Sequence, residues 1–147
     1  MGLFNRILVP VDGSRYSLNA ACMAARLSRI HGADMRIFHV IDDTLLDQLS
    51  RFSQKGRKSV REELRHNALA FLSDMRCEMI HDEIITPSEP IIREGIPHEV
   101  ILEEALSWNA DLIVIGKLGR RGISHILLGS VAERVIEFSD IPVLVVK

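Results

Sequence analysis

Glycines concentrate in one short stretch of the sequence, between residues 116 and 129. Four of the nine glycines of the chain fall there. Because glycine has no Cβ atom, it lets the backbone turn sharply and lets a ligand approach the main chain closely. Gly129 would leave the amides of Ser130, Val131 and Ala132 open at a helix N-terminus, where unpaired N–H groups and the helix dipole favour an anion. The stretch therefore predicts a loop that can bind phosphate.

Cationic side chains accompany these glycines. Lys117, Arg120 and Arg121 lie in the same stretch, and the hydroxyl of Ser130 could donate a hydrogen bond to a phosphate oxygen. A purely structural interpretation stays open, with glycines as turn residues and cations as solvated charge. The S-x-x-E pattern from Ser130 to Glu133 predicts a capping box, with Ser130 as the N-cap of the last helix.

The familiar nucleotide and metal motifs do not occur. The sequence has neither G-x-x-x-x-G-K-[ST] nor a G-x-G-x-x-G after its first strand-like run. Its six histidines are dispersed, and His98-Glu99 is not followed by a histidine at 102, so no metal site is predicted. Cys22 and Cys77 form no C-x-x-C pair, and both are predicted to be buried packing groups on helix faces.

Apolar runs predict the strands that must position this loop. Runs over 7–11, 112–115 and 142–146 are uninterrupted, which is typical of parallel strands buried on both faces. Residues 35–41 predict a fourth strand. A weaker fifth candidate, from 84–85 to 91–92, is broken by prolines and is therefore placed toward a sheet edge.

Helical patterns lie between these runs. They cover 15–31, ending at Gly32, and 57–80, and two more begin near Pro97 and Ser130. The connection 42–56 carries leucines at helical spacing, which leaves two interpretations: a short lid or partner-contacting helix, or a mobile surface segment. Strands that alternate with helices predict one α/β domain over residues 1–147, doubly wound, with a parallel sheet and helices on both faces.

The doubly wound fold predicts where a ligand would bind. In such sheets the site lies beyond the carboxyl ends of the strands, where the strand order reverses. Asp12 follows the first strand and Gly116 ends the fourth. These two positions should therefore border one site.

Composition narrows the function classes. The chain has 147 residues and 18 Lys+Arg against 20 Asp+Glu, a net charge of −2, whereas dedicated nucleic-acid binders carry a basic excess. No apolar run approaches the ~20 residues that span a bilayer, and the N-terminus lacks a signal-peptide pattern. We expect a cytoplasmic protein that binds neither nucleic acid nor membrane.

Three segments together resemble the universal stress protein family over essentially the whole chain. They are the opening run from Ile7 to Ser14, the pattern Gly116-x2-Gly119-x9-Gly129-Ser130, and the closing run from Ile141 to Val146. The resemblance implies a Rossmann-like sheet of five strands in the order 3-2-1-4-5. Family members that carry the glycine pattern bind ATP, so the resemblance places this chain in the ATP-binding branch, with AMP or ADP as alternatives and Mg²⁺ or Mn²⁺ held through the phosphates.

Residue roles follow from the resemblance by position. Pro10, Val11, Asp12 and Val40 would line the adenine and ribose end, with Asp12 as the acceptor for ribose hydroxyls. The phosphates would be held by Gly116, Gly119, Gly129, Ser130 and Val131, with Ile115 and Lys117 flanking the ribose. Arg120 is a candidate on other grounds, as one of the cationic side chains around the loop. Gly95 lies in a turn that the family shares after its third strand. Leu118 departs from the small or polar residue found in many relatives.

Catalysis and assembly are further expectations. The fourth strand ends in Ile115-Gly116 without the acidic residue that holds a metal in many ATPases, so we expect no catalytic residues and at most slow hydrolysis. The resemblance also implies a homodimer through the C-terminal strand and a further, unidentified protein partner in a stress-response or regulatory role. The alternatives are a dimeric interaction protein of the same fold that binds no nucleotide, and a true ATPase.

Overall fold

The computed structural model describes residues 2–81, 89–119 and 127–147. This part of the chain contains five strands and five helices. Strands and helices alternate, except that two consecutive helices connect the second strand to the third. The strands are β1 (Arg6–Pro10), β2 (Asp34–Asp42), β3 (Ile91–Gly95), β4 (Leu112–Gly116) and β5 (Val143–Val146). The helices are α1 (Arg15–His31), α2 (Asp43–Phe52), α3 (Arg57–His81), α4 (Pro97–Ser107) and α5 (Ser130–Phe138).

The strands form one parallel sheet in the order β3-β2-β1-β4-β5, which confirms the predicted order. Ile7 of β1 is paired with Met35 on one side and with Leu112 on the other. The strand order reverses at β1, so the gap between β1 and β4 at their carboxyl ends is the position where such folds bind ligands. The weak fifth run forms the edge strand β3, as its prolines predicted, although its residues 84–88 lie outside the described part.

Helices cover both faces of the sheet. Because side chains alternate along a strand, Ile7 and Val9 pack on one face with α1 and α3, while Leu8 packs on the other with α4 and α5. The small residues of α1 (Ala20, Ala21, Ala24 and Ala25) are buried and bring that helix close to the sheet. This arrangement confirms the doubly wound fold.

Several predicted helix limits are confirmed. Helix α1 ends at Gly32, whose φ of 66° is the left-handed conformation expected of a C-terminal glycine. Helix α4 begins with Pro97. None of the helices that the structure describes is long and apolar enough to cross a membrane.

The uncertain connection after β2 forms the helix α2. Asp42 caps it by accepting a hydrogen bond from the amide of Thr44, at 2.9 Å. Leu46 is completely buried, which fixes the helix to the body of the protein. Of the two interpretations left open for this segment, the structure shows the helix, and its role as a lid or partner contact stays a prediction.

One of the two cysteine predictions is wrong. Cys22 of α1 is half-buried against the core, as expected. Cys77 of α3 is exposed, because it lies two residues from both Met75 and Met79. A separation of two places it on the opposite side of the helix from that buried stripe.

Candidate functional site

A cavity of about 660 Å³ opens at the carboxyl edge of the sheet. Its walls come from the ends of β1, β2 and β4, from the loop after β4, and from α2, α3, α4 and the first turn of α5. Cavities of a few hundred to a thousand Å³ are typical of small-molecule sites. The cavity therefore lies where the strand order predicts a ligand.

Most of the residues that the sequence singled out line this cavity. Ten do so: Pro10, Val11, Asp12, Val40, Ile115, Gly116, Gly119, Gly129, Ser130 and Val131. Lys117 is half-buried next to the wall and does not line it. Arg120 lies outside the described residues.

The main chain of Lys117 closes the glycine-rich loop. Its amide donates to the carbonyl of Val146 at 2.7 Å, and its carbonyl accepts from the amide of Gly129 at 2.8 Å. These bonds bring the start of α5 back to the end of β4. Leu118, the departure from the family pattern, is buried with 6% of its surface exposed and lines the cavity wall.

The glycines of the loop meet different neighbours. A Cβ atom at Gly119 would lie 2.8 Å from Oδ2 of Asp12, so the loop and the end of β1 are nearly in contact there. A Cβ atom at Gly129 would lie 3.2 Å from the Cα atom of Leu118. At Gly116 it would lie 2.8 Å from the carbonyl carbon of Tyr16 in α1, so close packing of α1 on β4 already requires a glycine at that position.

Asp12 is positioned by the turn that joins β1 to α1. Gly13 has a φ of 85°, a conformation that favours glycine. The turn lets the amide of Ser14 donate to Oδ1 of Asp12 at 2.9 Å, while Ser14 itself caps α1. One carboxylate oxygen is thus held by the protein, and the other, Oδ2, lies beside Gly119.

The N-terminus of α5 presents donors to the cavity. The amides of Ser130, Val131 and Ala132 make no hydrogen bond to any residue in the described ranges, and the first bond of the helix runs from the amide of Glu133 to the carbonyl of Gly129. Such unpaired amides, together with the helix dipole, are able to bind an anion. This is the geometry that the glycine spacing predicted.

The predicted capping box is wrong. Gly129, not Ser130, is the N-cap of α5, and no side chain caps this end. Ser130 is already the first helical residue, so Glu133 stands one position too far along to complete the box. The exposed hydroxyl of Ser130 is therefore not required by the helix.

The other end of the cavity is apolar and was largely missed by the sequence prediction. Its wall includes Leu45 of α2 together with Leu64, Ala68 and Phe71 of α3. The apolar spacing within 57–80 predicts a helix but no part of a site, whereas half-buried Leu64 and Phe71 border the cavity. The helical leucines of the 42–56 connection were the one signal that could have placed Leu45 there.

His39 links this apolar end to β1. Its Nδ1 atom lies 2.7 Å from the carbonyl oxygen of Val11, and its ring meets the ring of Phe71 edge-on with centroids 4.9 Å apart. A carbonyl can only accept, so this nitrogen carries the proton. His39 therefore holds the backbone immediately before Asp12.

The charges on the described part of the cavity wall are acidic. Asp12, Asp42 and Glu133 line it, and no lysine or arginine of the described residues does. The described residues also hold no group of three or more His, Cys, Asp or Glu side chains that could bind a metal ion. Backbone amides are thus the groups of the described wall that are able to bind an anion.

Comparison with known proteins assigns the family. The model of the universal stress protein family matches residues 3–147. The chain belongs to the universal stress protein family. Universal stress protein MJ0531 of Methanocaldococcus jannaschii is 37% identical over 99% of this chain and 83% of its own length.

Solved universal stress proteins share the fold. The structure of MJ0577, from the same organism, has a TM-score of 0.81 at 30% identity and covers 99% of this chain and 96% of its own. A more distant universal stress protein from Archaeoglobus fulgidus, solved in complex with dAMP, has a TM-score of 0.58 at 20% identity over the full length of both chains. At that identity the likeness shows the fold alone.

Proposed function

We propose that this universal stress protein binds an adenine nucleotide, ATP or its products ADP and AMP, in the cavity at the carboxyl edge of the sheet. The observation that carries the proposal is that one cavity combines unpaired amides at the start of α5, the carboxylate of Asp12 and an apolar compartment. These three features match the three parts of a nucleotide, which are the phosphates, the ribose and the base.

The phosphates would lie at the amides of Ser130, Val131 and Ala132. Gly119 and Gly129 leave room there, since a Cβ atom at either would meet Asp12 or Leu118. A polyphosphate beside acidic groups needs neutralising charge, which a Mg²⁺ or Mn²⁺ ion bound to the phosphates would supply. The described residues offer no dedicated ligand cluster, so we infer that such an ion enters with the nucleotide.

The ribose and base would extend from Asp12 toward the apolar end. Oδ2 of Asp12 can accept a hydrogen bond from a ribose hydroxyl, because Oδ1 is the oxygen that accepts from Ser14. Pro10, Val11, Val40 and Ile115 contribute apolar surface near the sugar and the base. The Archaeoglobus relative of the same fold was solved in complex with dAMP, an adenine nucleotide.

We further propose that the protein hydrolyses the nucleotide slowly or not at all and acts as a regulatory module in the cytoplasm. Strand β4 ends in Ile115 and Gly116, without the acidic residue that holds a metal in many ATPases. Nucleotide binding would then alter contacts with a protein partner. Phosphate release in Mg²⁺ on the order of 1 per second or faster, typical of dedicated enzymes, would contradict this part of the proposal.

We also propose a homodimer that pairs the two copies of β5. This strand is at the edge of the sheet, and Leu144 is exposed on it. An unpaired apolar edge favours association with another strand. A two-fold axis would place the same strand on both sides of the contact and close the assembly as a dimer.

Release of bound nucleotide tests the proposed function. Freshly purified protein is denatured and the supernatant is separated by chromatography, alongside thermal unfolding with and without millimolar ATP. We expect adenine nucleotide in the supernatant or a rise of the melting temperature with ATP, since a ligand that binds only the folded state stabilises it. An empty protein whose melting temperature does not respond would instead indicate an interaction protein without nucleotide.

A further inference from the structure

A polar side chain interrupts the row of α3 residues that borders the apolar end of the cavity. Leu64, Asn67 and Phe71 are separated by three and four positions, so they lie along one face of the helix. All three line the cavity. The leucine and the phenylalanine provide apolar surface, whereas Asn67 contributes a carboxamide, and its residue is exposed at the cavity edge.

The carboxamide of Asn67 differs from the other polar side chains at this end. The ring of His39 bonds to the carbonyl of Val11, and the carboxylate of Asp42 caps α2 through the amide of Thr44. Asn67 makes no hydrogen bond to any other residue of the described ranges. Its oxygen and its amino group are thus both available to a ligand.

We propose that Asn67 recognises the adenine base, an inference that rests on the proposed function. With the phosphates at α5 and the ribose at Asp12, the base occupies the compartment bordered by α3. An asparagine carboxamide presents an acceptor beside a donor, which matches the amino group and N7 of adenine. Guanine presents two acceptors, O6 and N7, along the same edge, so the amide oxygen would face another oxygen.

The neighbours of Asn67 fit a flat aromatic base. Leu64 and Phe71 flank it at one turn of the helix on either side, and both are half-buried. They can pack against the body of the purine while the carboxamide meets its edge. Affinity would then come from apolar contact and base preference from Asn67.

The test compares ATP with two analogues that lack one partner of the carboxamide. In 7-deaza-ATP the ring acceptor N7 is missing, and in purine riboside triphosphate the amino group is missing. We expect the wild-type chain to bind ATP more tightly than both analogues in titration calorimetry. Replacing Asn67→Ala should weaken ATP about three- to tenfold, the range for one or two hydrogen bonds, and weaken the analogues less.

A second variant and a control separate recognition from folding. Asn67→Asp keeps the size of the side chain but removes the N–H donor that would meet N7. This variant should therefore lose more affinity for ATP than for 7-deaza-ATP, which has no N7. His66→Ala changes an exposed neighbour on α3 that does not line the cavity, and it should leave every affinity unchanged. Thermal unfolding checks that all three variants are folded, as expected for substitutions at exposed positions of a helix.

The outcomes distinguish this inference from the proposed function. Asn67 variants that lower the affinity for ATP and both analogues by the same factor, or that lower none of them, contradict base recognition by Asn67 and leave nucleotide binding standing. A wild-type chain that binds none of the three compounds contradicts the proposed function itself, and the inference with it.

Discussion

At the residue scale, the glycines of the loop after β4 have separable roles. Gly116 faces the main chain of α1, where a Cβ atom would lie 2.8 Å from Tyr16 and 2.9 Å from the amide of Ser17. Gly119 is exposed, and among the residues that the structure describes a Cβ atom there would meet the side chain of Asp12. The first glycine therefore serves packing, and the second keeps the site open.

This difference predicts that the same substitution affects stability at one position and nucleotide affinity at the other. Gly116→Ala should lower the free energy of unfolding by about 1–3 kcal/mol, because backbone atoms cannot move aside cheaply. Gly119→Ala should leave the free energy of unfolding nearly unchanged. It should lower the affinity for ATP on the order of tenfold, because the new methyl group displaces the carboxylate of Asp12. Chemical denaturation and titration calorimetry measure the two effects. A Gly119→Ala protein with wild-type affinity would show that this contact is irrelevant to binding.

Ser130 gives a second prediction at this scale. Since Gly129 is the N-cap, Ser130→Ala should change the free energy of unfolding by no more than about 0.5 kcal/mol, less than the ~1 kcal/mol typical of a lost side-chain cap. Its affinity for ATP should fall if the hydroxyl donates to a phosphate. If Ser130→Ala lost the full ~1 kcal/mol of a side-chain cap in urea unfolding, Ser130 would act as the N-cap and the capping-box prediction would stand.

At the element scale, α2 and α3 form the part of the cavity wall that the sequence analysis predicted least well. Arg61 of α3 makes two hydrogen bonds to Glu94 at the end of β3, at 2.8 and 3.1 Å. The hydrogen bond and the charge of Glu94 raise the pKa of Arg61 above its ordinary value. Because its pKa is raised, Arg61 loses its proton only at still more alkaline pH. Deprotonation of Arg61 therefore does not weaken the ion pair with Glu94 near neutral pH.

Helix α2 is anchored by one leucine and exposes another apolar residue. Leu46 is fully buried, whereas Phe52 is 88% exposed. Leu46→Ala should cost about 2–5 kcal/mol of stability, as other buried leucines do, while Phe52→Ala should cost little. Guanidinium unfolding of both variants checks this. Equal stability of the two would mean that α2 is not held against the body of the protein in solution.

The elements also show what the sequence could predict. Uninterrupted apolar runs placed β1 and β4, since strands buried on both faces need apolar residues at every position. The third run placed β5 correctly, but its predicted burial on both faces is wrong, because β5 lies at the sheet edge and Leu144 is exposed. The amphipathic pattern could not distinguish an α3 residue facing the core from one facing a cavity, since both positions are apolar. The same limit hid Leu64 and Phe71 from the site prediction, whereas the glycine pattern singled out residues at the other end of the cavity.

At the scale of the whole molecule, the dimer prediction depends on the outer edge of β5, which pairs with no other described strand. The carbonyls of Pro142 and Val146 accept hydrogen bonds from β4 and its following residue. Because backbone groups alternate along a strand, the N–H groups of Val143 and Val145 point away from β4. These two outward amides would pair with the second copy.

A proline at one outward position should therefore disrupt the dimer without breaking the sheet. Val145→Pro removes an N–H that β4 does not use, so sedimentation should shift from dimer toward monomer while the fold persists. Leu144→Pro is the matched comparison, because it removes an inward N–H and should destabilise the protein. A wild-type monomer at micromolar concentration, or a Val145→Pro variant that dimerises normally, would refute pairing through β5.

The whole account depends on a nucleotide occupying the cavity between β1, β4 and α5. Titration calorimetry of nucleotide-free protein with ATP and Mg²⁺ measures this directly. We predict saturable binding at one site per chain that Gly119→Ala weakens. The absence of any heat or thermal stabilisation with ATP, ADP and AMP at millimolar concentrations would contradict it.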